Sequence, residues 1–413
     1  MKKSKRFLTA TDEDIASGST SDIYFFRTKK ILREEGLDRA VVCAELTASA
    51  LPPGCPWAVL GGLRDSLKLL EGLPVDVYSM PEGTVFFKAD CYGIREPLMY
   101  VIGPYGEFAE YETPLLGFLA VGSGIATKAA RIKKLAGEKL VLSFGARRTH
   151  PAIAPFNSYY AYVGGCDAVS CVKGAELLGI KPTGTMPHSL MIIFQAFKGD
   201  YTEAWLAFDK HVEPEVPRIV LADTFEDEVS ESLRAVEKLG DRLWGLRFDT
   251  PGSRRGDFPA IIREVKWKLE AAGYDRVKIV VSGGIDEDEI AELAEAGADA
   301  FGVGAAIANA RIVDVAMDIV AVKKEGRWMP IAKRGKFSGI KQVYRCWNCF
   351  LDVVRLEEDP RPKCPKCGSD MEPLLKKVIE GGRIVRGLEN PSEVREYVLE
   401  QVKRLDLHKP PWE

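Results

Sequence analysis

Excess positive charge is missing from this sequence. Its 57 Lys and Arg face 60 Asp and Glu among 413 residues, a formal net charge of −3. This argues against a dedicated DNA-binding protein, which carries a strong basic excess, but it leaves room for a local phosphate site. Histidine is scarce, with four in the chain. The apolar, uncharged stretch Thr113–Thr127 falls short of the ~20 apolar residues of a membrane span and contains Gly117, Gly122 and Gly124. The basic Met1–Arg6 start is followed by Phe7-Leu8 and then by polar residues, so the apolar core of a secretory signal is lacking. No Asn-x-Ser/Thr acceptor remains once Asn390-Pro391 is discounted. Nine cysteines, an odd number without such a signal, make a poor disulfide framework and are expected to be reduced or metal-bound. A cytoplasmic protein with no membrane or nucleic-acid partner is expected. What is present is a foldable composition, 46% hydrophobic and 28% charged. That excludes general disorder and suggests two or three domains.

Three rhythms follow one another along the chain. Residues 1–112 read as a mixed α/β unit: an apolar segment Ala40–Leu51, a helical pattern over Trp57–Leu70, then strand-like runs Val75–Ser79, Thr84–Ala89 and Pro97–Ile102. Residues 113–308 alternate strands and helices. The strand-like runs are Leu140–Phe144, Ala168–Val172, Arg218–Ala222, Leu243–Phe248, Val277–Ser282 and Ala300–Val303, and the helical patterns are Val229–Leu239, Pro259–Ala272 and Glu287–Ala296. This predicts parallel βαβ units in a closed or incomplete α/β barrel, with an open doubly wound sheet as the alternative. Residues 309–413 contain a hairpin (Val315–Val322 and Arg327–Ala332), a cysteine cluster within 344–370, and a terminal helix over Pro391–Leu405 with Ser392 as its cap.

Cys346-Trp-Asn-Cys349 and Cys364-Pro-Lys-Cys367 are two C-x₂-C knuckles. Each pair of thiolates can grip one side of a tetrahedral ion, which predicts a closed, structural Cys₄ zinc ribbon. A ribbon can also bind nucleic acid or a partner, but the acidic run Leu356–Asp359 beside it argues against that use. The remaining cysteines read as small core residues.

Gly122-Ser-Gly124 lacks the third glycine of a dinucleotide loop and follows a helical pattern, so it reads as helix packing; no Walker A pattern occurs. Ser282-Gly283-Gly284 and Phe301-Gly302-Val303-Gly304 are better phosphate loops. Each follows an apolar strand, where backbone N–H groups can approach an anion. Basic and acidic residues recur at successive strand ends: Arg147 and Arg148, Asp223 and Thr224, Arg247 and Asp249, Arg254 and Arg255. Singly such residues are more often surface ion pairs; their recurrence suggests a phosphate and ribose site. His188 sits after the Gly184-Thr185 turn, near a helix start.

Taken together, Thr20–Tyr24, Pro81–Thr84, Ser143–Arg148, Gly164–Asp167, Gly184–Ser189, Ala222–Thr224, Gly245–Asp249, Ser282–Gly284 and Gly302–Gly304 resemble the nicotinate phosphoribosyltransferases, particularly the archaeal-type enzymes. The resemblance covers nearly the whole chain. It implies a type II phosphoribosyltransferase, with an N-terminal α/β sandwich, an incomplete α/β barrel, and a C-terminal segment that returns to the first domain. It implies transfer of phosphoribosyl from phosphoribosyl pyrophosphate to nicotinate with Mg²⁺, a step of NAD salvage coupled to ATP and classed as a ligase reaction. It also implies a head-to-tail homodimer or a trimer of dimers. His188 matches the phosphate-accepting histidine. Phe144 matches the aromatic that stacks on the pyridine ring, with the Tyr24 position of a neighbouring subunit on the other face. Arg147, Arg148, Thr185, Thr224, Arg254 and Arg255 match substrate-binding positions, and Arg247 is the partner for a carboxylate or phosphate. Asp223 and Asp249 match acidic residues around ribose and metal, and Gly283, Gly284, Gly302 and Gly304 match the 5′-phosphate cup. Asp167 sits where nicotinamide enzymes read an amide, a role that a carboxylate substrate opposes. The competing readings are a quinolinate enzyme, which needs further basic residues for a second carboxylate, a nicotinamide enzyme, and a non-enzymatic zinc-ribbon nucleic-acid or scaffold protein.

Overall fold

The structure is a computed structural model that describes residues 7–413, so the basic Met1–Arg6 stretch lies outside it. The chain divides into two compact units. One joins the residues through Thr127 to Arg311–Glu413, and the other is Lys128–Ala310. The first break falls within the Glu112–Ala136 helix rather than at 112/113. The sequence rhythm changes where this helix begins, whereas its packing changes partway along it. The second break falls at 310/311 rather than at 308/309.

The first unit is built on a seven-stranded antiparallel sheet. Its order is Arg327–Pro330, Asp314–Lys324, Val41–Ala50, Pro97–Pro104, Asp76–Ser79, Lys376–Glu380, Arg383–Ile384. Strands from the end of the chain therefore flank both sides of those from its beginning. The hairpin turns at Glu325 and Gly326, with φ of 51° and 78°, the two positive values that a type I′ turn requires. Val41–Ala50 is buried along most of its length. Leu46, Val77, Leu98 and Val101 form the core with Leu63, Leu67 and Leu70 of the Leu63–Leu70 helix. That helix is shorter than the Trp57–Leu70 pattern, because Ala58–Val59 pairs as a strand with Val85–Phe86 and Gly62 breaks the chain before Leu63. Asn390, not Ser392, caps the terminal helix Pro391–Val402. Its side chain accepts from Ser392 N at 3.1 Å, Glu393 closes a capping box, and Pro391 takes the first helical position.

Among the described residues, one helical stretch, Tyr105–Ala136, is long and apolar enough to cross a membrane by length and composition alone. However, 72% of its most apolar window is buried inside the fold, as in a core helix. Gly122 and Gly124 serve close packing here: a Cβ would meet Gly62 N at 2.7 Å and Arg311 O at 2.5 Å.

The second unit is a six-stranded parallel sheet in the order Ala168–Val169, Leu140–Ser143, Ala300–Val303, Lys278–Ser282, Gly245–Phe248, Ile219–Leu221. Followed around, this is chain order closed on itself, with the last strand beside the first and an opening between Val169 and Ile219. A doubly wound sheet would instead reverse direction at a switch point. The cyclic order is that of an incomplete barrel, whose interior holds Leu142, Ile219, Val280 and Ala300. Helices Glu228–Leu239, Phe258–Ala271 and Glu287–Ala296 cover it, each with a buried apolar stripe such as Phe258, Ile262, Val265 and Leu269. The strand expected to reach Val172 ends at Val169, because Val172 opens the Val172–Leu178 helix.

Candidate active site and cysteine cluster

Five of the six barrel strands deliver residues at their C-terminal ends to a cavity of about 630 Å³. Phe144, Arg147, Arg148, Thr185, His188, Arg247, Asp249, Gly283, Gly284, Gly302 and Gly304 line it. Phe144 leaves the Leu140–Ser143 strand with its N–H on Val303 O at 2.8 Å. Its ring lies over Gly302, where a Cβ would come within 2.5 Å of a ring carbon, so a bare backbone there is the seat of the aromatic wall. Gly283 has a φ of +89°, and a Cβ on it would sit 2.6 Å from Asp249 Oδ1. Asp249 Oδ1 accepts from Ser282 Oγ at 3.1 Å.

Arg247 projects from the Gly245–Phe248 strand, with its side chain 12% exposed. Nη1 donates to Thr185 Oγ1 at 2.5 Å, and Nη2 lies 3.6 Å from Asp249 Oδ2. Nε is buried without a partner. Burial lowers its pKa while Asp249 and Asp223 oppose the shift; a guanidinium stays charged throughout. Arg147 and Arg148 are exposed and make no ion pair among the described residues. The site therefore presents three cations whose bonding capacity is not spent.

His188 is the first residue of the His188–Lys198 helix. Its Nε2 lies 3.0 Å from Asp223 Oδ1, and that bond raises the His188 pKa above its ordinary value against the opposing effect of burial. With Nε2–H donated to a buried carboxylate, the neutral ring keeps its lone pair on Nδ1.

Several expected residues stand elsewhere. Asp223 does not face ribose or metal: its side chain is 1% exposed, and Oδ2 accepts from Asp249 N at 2.5 Å. It orients His188 instead. Thr224 does not line the cavity; its N–H is held by Glu231 at 3.0 Å. Arg255 is a clip rather than a substrate ligand. It donates to Thr250 O at 2.8 Å, to Ser282 O at 2.9 Å and to Gly283 O, which ties two strand-end loops together. Arg254 is exposed on the same short helix and lies outside the cavity. Tyr24 is 54% exposed on the Ile23–Glu34 helix of the first unit. Asp167 lies at the wrong end of the barrel. Its Oδ2 accepts from Val141 N at 2.8 Å and pairs with Lys133 at 3.0 Å. Asp299 repeats the pattern one turn of sequence logic later: Oδ2 accepts from Ile279 N at 2.9 Å and pairs with Lys266 at 2.7 Å. Gly165-Cys-Asp167-Ala and Gly297-Ala-Asp299-Ala are the same strand-start device, which assigns Asp167 to the framework.

Sequence reasoning missed Ser170 and did not single out Ser189 or Ser282, all of which line the cavity. Ser170 falls inside the strand-like run Ala168–Val172, whereas the strand ends at Val169 and Ser170 is the first residue beyond it. It also missed Glu231, fully buried, whose carboxylate accepts the N–H groups of Thr224, Phe225 and Glu226 at 3.0, 2.6 and 3.0 Å. Nothing in a single helical glutamate marks that role.

In the first unit, Cys346, Cys349, Cys364 and Cys367 bring their sulfur atoms within 4.8 Å of one another, with Cys346 and Cys367 at 3.6 Å. Zn–S bonds of about 2.3 Å in a tetrahedron need S–S edges of about 3.8 Å, so the set fits a closed thiolate site. Beneath it, Arg345 is fully buried. It pairs with Asp352 through two bonds of 2.8 and 2.5 Å and donates to Val85 O at 2.7 Å.

Comparison with known proteins agrees with this arrangement. The chain is 31% identical over 374 residues to nicotinate phosphoribosyltransferase of Bacillus subtilis, covering 79% of this chain and 73% of that protein. The chain belongs to the nicotinate phosphoribosyltransferase family. Nicotinate phosphoribosyltransferase of Bos taurus is 28% identical, covering 87% of this chain and 79% of that protein. Residues 22–123 and 125–318 match the families described as the N- and C-terminal domains of quinolinate phosphoribosyl transferase. A crystal structure named nicotinate-nucleotide pyrophosphorylase, from Pyrococcus furiosus, is 51% identical with a TM-score of 0.90, covering 97% of this chain and 99% of that one. Human nicotinic acid phosphoribosyltransferase shares the fold, at a TM-score of 0.73 and 23% identity over 94% of each chain.

Proposed function

We propose that this protein transfers phosphoribosyl from phosphoribosyl pyrophosphate to nicotinate, yielding nicotinate mononucleotide and pyrophosphate in NAD salvage, and that ATP hydrolysis drives the reaction through a phosphate on His188. The observation that carries this reading is the cavity's pairing of a flat aromatic wall, Phe144 on Gly302, with Arg247, a half-buried cation whose buried Nε–H has no partner among the described residues. Nicotinate is a planar ring with one carboxylate, and stacking plus an arginine fork is an adequate reader for it.

In this reading the pyridine nitrogen bonds to ribose C1 as the C1–oxygen bond to pyrophosphate breaks. The transition state places positive charge on the sugar and negative charge on the leaving group. Catalysis is then mostly positioning and charge neutralisation. Arg147 and Arg148 meet the pyrophosphate, and the loops at Gly283–Gly284 and Gly302–Gly304 offer backbone N–H groups to the 5′-phosphate. Among the described residues, the ligand cluster of three or more is the four cysteines, so Mg²⁺ would arrive with the pyrophosphate group and neutralise it. For the ATP step, the His188 Nδ1 lone pair attacks the γ-phosphorus, a P–N bond forms, and ADP leaves with the electrons of the broken P–O bond. Water later takes the phosphate. The cysteine cluster would hold one structural Zn²⁺. A homodimer in which Tyr24 serves the neighbouring site, and a cytoplasmic location, complete the proposal.

A second reading, quinolinate as substrate, has Arg147 and Arg148 in its favour: they make no ion pair among the described residues and could hold a second carboxylate. The nicotinamide reading loses its one support, because Asp167 is bound at the opposite end of the barrel. Offering nicotinate, quinolinate and nicotinamide separately, with and without ATP, distinguishes the three.

A further inference from the structure

The hydrogen bonds behind His188 do not end at Asp223. Asp223 Oδ2 lies 3.3 Å from Thr250 Oγ1, which lies 2.7 Å from Glu228 Oε1. Thr250 is 4% exposed and Glu228 9%. Thr250 follows the Gly245–Phe248 strand, and Glu228 opens the Glu228–Leu239 helix. Two carboxylates thus share one hydroxyl, which has a single hydrogen to give. The shorter contact takes it. Asp223 is left with two donors, Asp249 N–H and His188. A carboxylate with fewer donors holds an imidazole proton more firmly.

We propose that Glu228 and Thr250 are positioning residues for His188: Glu228 keeps the Thr250 hydrogen turned away from Asp223, so that Asp223 keeps its full hold on His188 Nε2 and leaves Nδ1 as the reactive nitrogen. The charged groups acting directly on the ring are Asp223, Asp249 and Arg247, with Glu228 and Glu231 behind Asp223. The inference deepens the His188 reading above and rests on it, yet the ring's titration can be followed without turnover.

The test is a ¹⁵N-edited NMR titration of the four histidines in the full-length protein, with His188 assigned by His188→Gln. In Glu228→Gln the amide donates to the Thr250 oxygen and the hydroxyl hydrogen swings to Asp223. The His188 pKa should then fall by about half a unit to one unit. Thr250→Ser keeps the hydroxyl and should titrate as wild type. In Thr250→Val the chain is cut, and adding Glu228→Gln should shift the ring no further. An unchanged pKa in Glu228→Gln overturns the proposal. So does a shift of equal size with valine at 250, which would be a through-space charge effect. Should Thr250→Val not fold, the Glu228→Gln and Thr250→Ser pair decides, and a Thr250→Ser shift as large as that of Glu228→Gln counts against the chain. Wild-type turnover that ignores ATP would overturn the phosphohistidine reading while leaving the titration result intact.

Discussion

The two ends of the barrel both carry charged side chains, but in opposite states. At the strand starts, Asp167 and Asp299 each hold a backbone N–H of the adjacent strand and a lysine, so their charges are spent within the fold. At the strand ends, Arg147 and Arg148 lack ion-pair partners among the described residues, and Arg247 keeps a buried Nε unpaired. A satisfied charge supports structure, and a deficit held in place by its surroundings awaits a ligand. Asp223 and Arg255 lie at the functional end yet behave like the other end. They bond to His188 and to loop carbonyls, and they shape the site without facing its contents.

This comparison can be broken by experiment. The largest effect is expected from His188→Ala, which should abolish ATP stimulation while leaving the thermal transition in place; differential scanning fluorimetry beside a product assay checks both. Arg247→Met should lower kcat/KM for nicotinate by about 10²–10³-fold, the size of one lost charge-stabilising group, with stability unchanged or raised because an unsatisfied buried N–H is removed. Asp223→Asn acts through pH. Its bond raises the His188 pKa, so the neutral nucleophile is gained only as pH climbs past that raised value. Without the bond, the acid limb of the ATP-stimulated rate should move to lower pH while the maximum falls. Lys133→Met should do the reverse of Arg247→Met, costing about 1–3 kcal/mol by removing the lysine that bonds Asp167 while kcat/KM of the folded protein holds. The smallest effect on activity is expected from metal removal. Elemental analysis should find about one zinc per chain, and chelation should lower the melting temperature with little direct effect on turnover at low temperature. A metal-free protein with an unchanged transition would contradict the zinc assignment.

Much of this was legible in the sequence for physical reasons. Barrel strands buried on both faces read as apolar runs, and Glu287–Ala296 emerged with the boundaries that its amphipathic pattern indicates. Cysteine knuckles announce themselves because metal geometry fixes their spacing. Strand-end residues were found as a class, since parallel sheets place chemistry there. What stayed hidden was which partner each side chain chooses. Asp223 and Asp249 look alike in sequence, and only the positions of His188, Thr250 and Ser282 separate the orienting carboxylate from the one that faces the cavity. Asp167 misled because the device it shares with Asp299 is built from a neighbouring strand and a distant lysine. The domain break and the helix start at Leu63 were displaced because composition shifts do not track packing.

The most direct test of the account is the substrate panel run with phosphoribosyl pyrophosphate, with and without ATP, followed by phosphate mapping on the enzyme. The account predicts turnover of nicotinate, stimulated by ATP, with acid-labile phosphate on His188. Turnover of quinolinate with release of carbon dioxide and no response to ATP would contradict it.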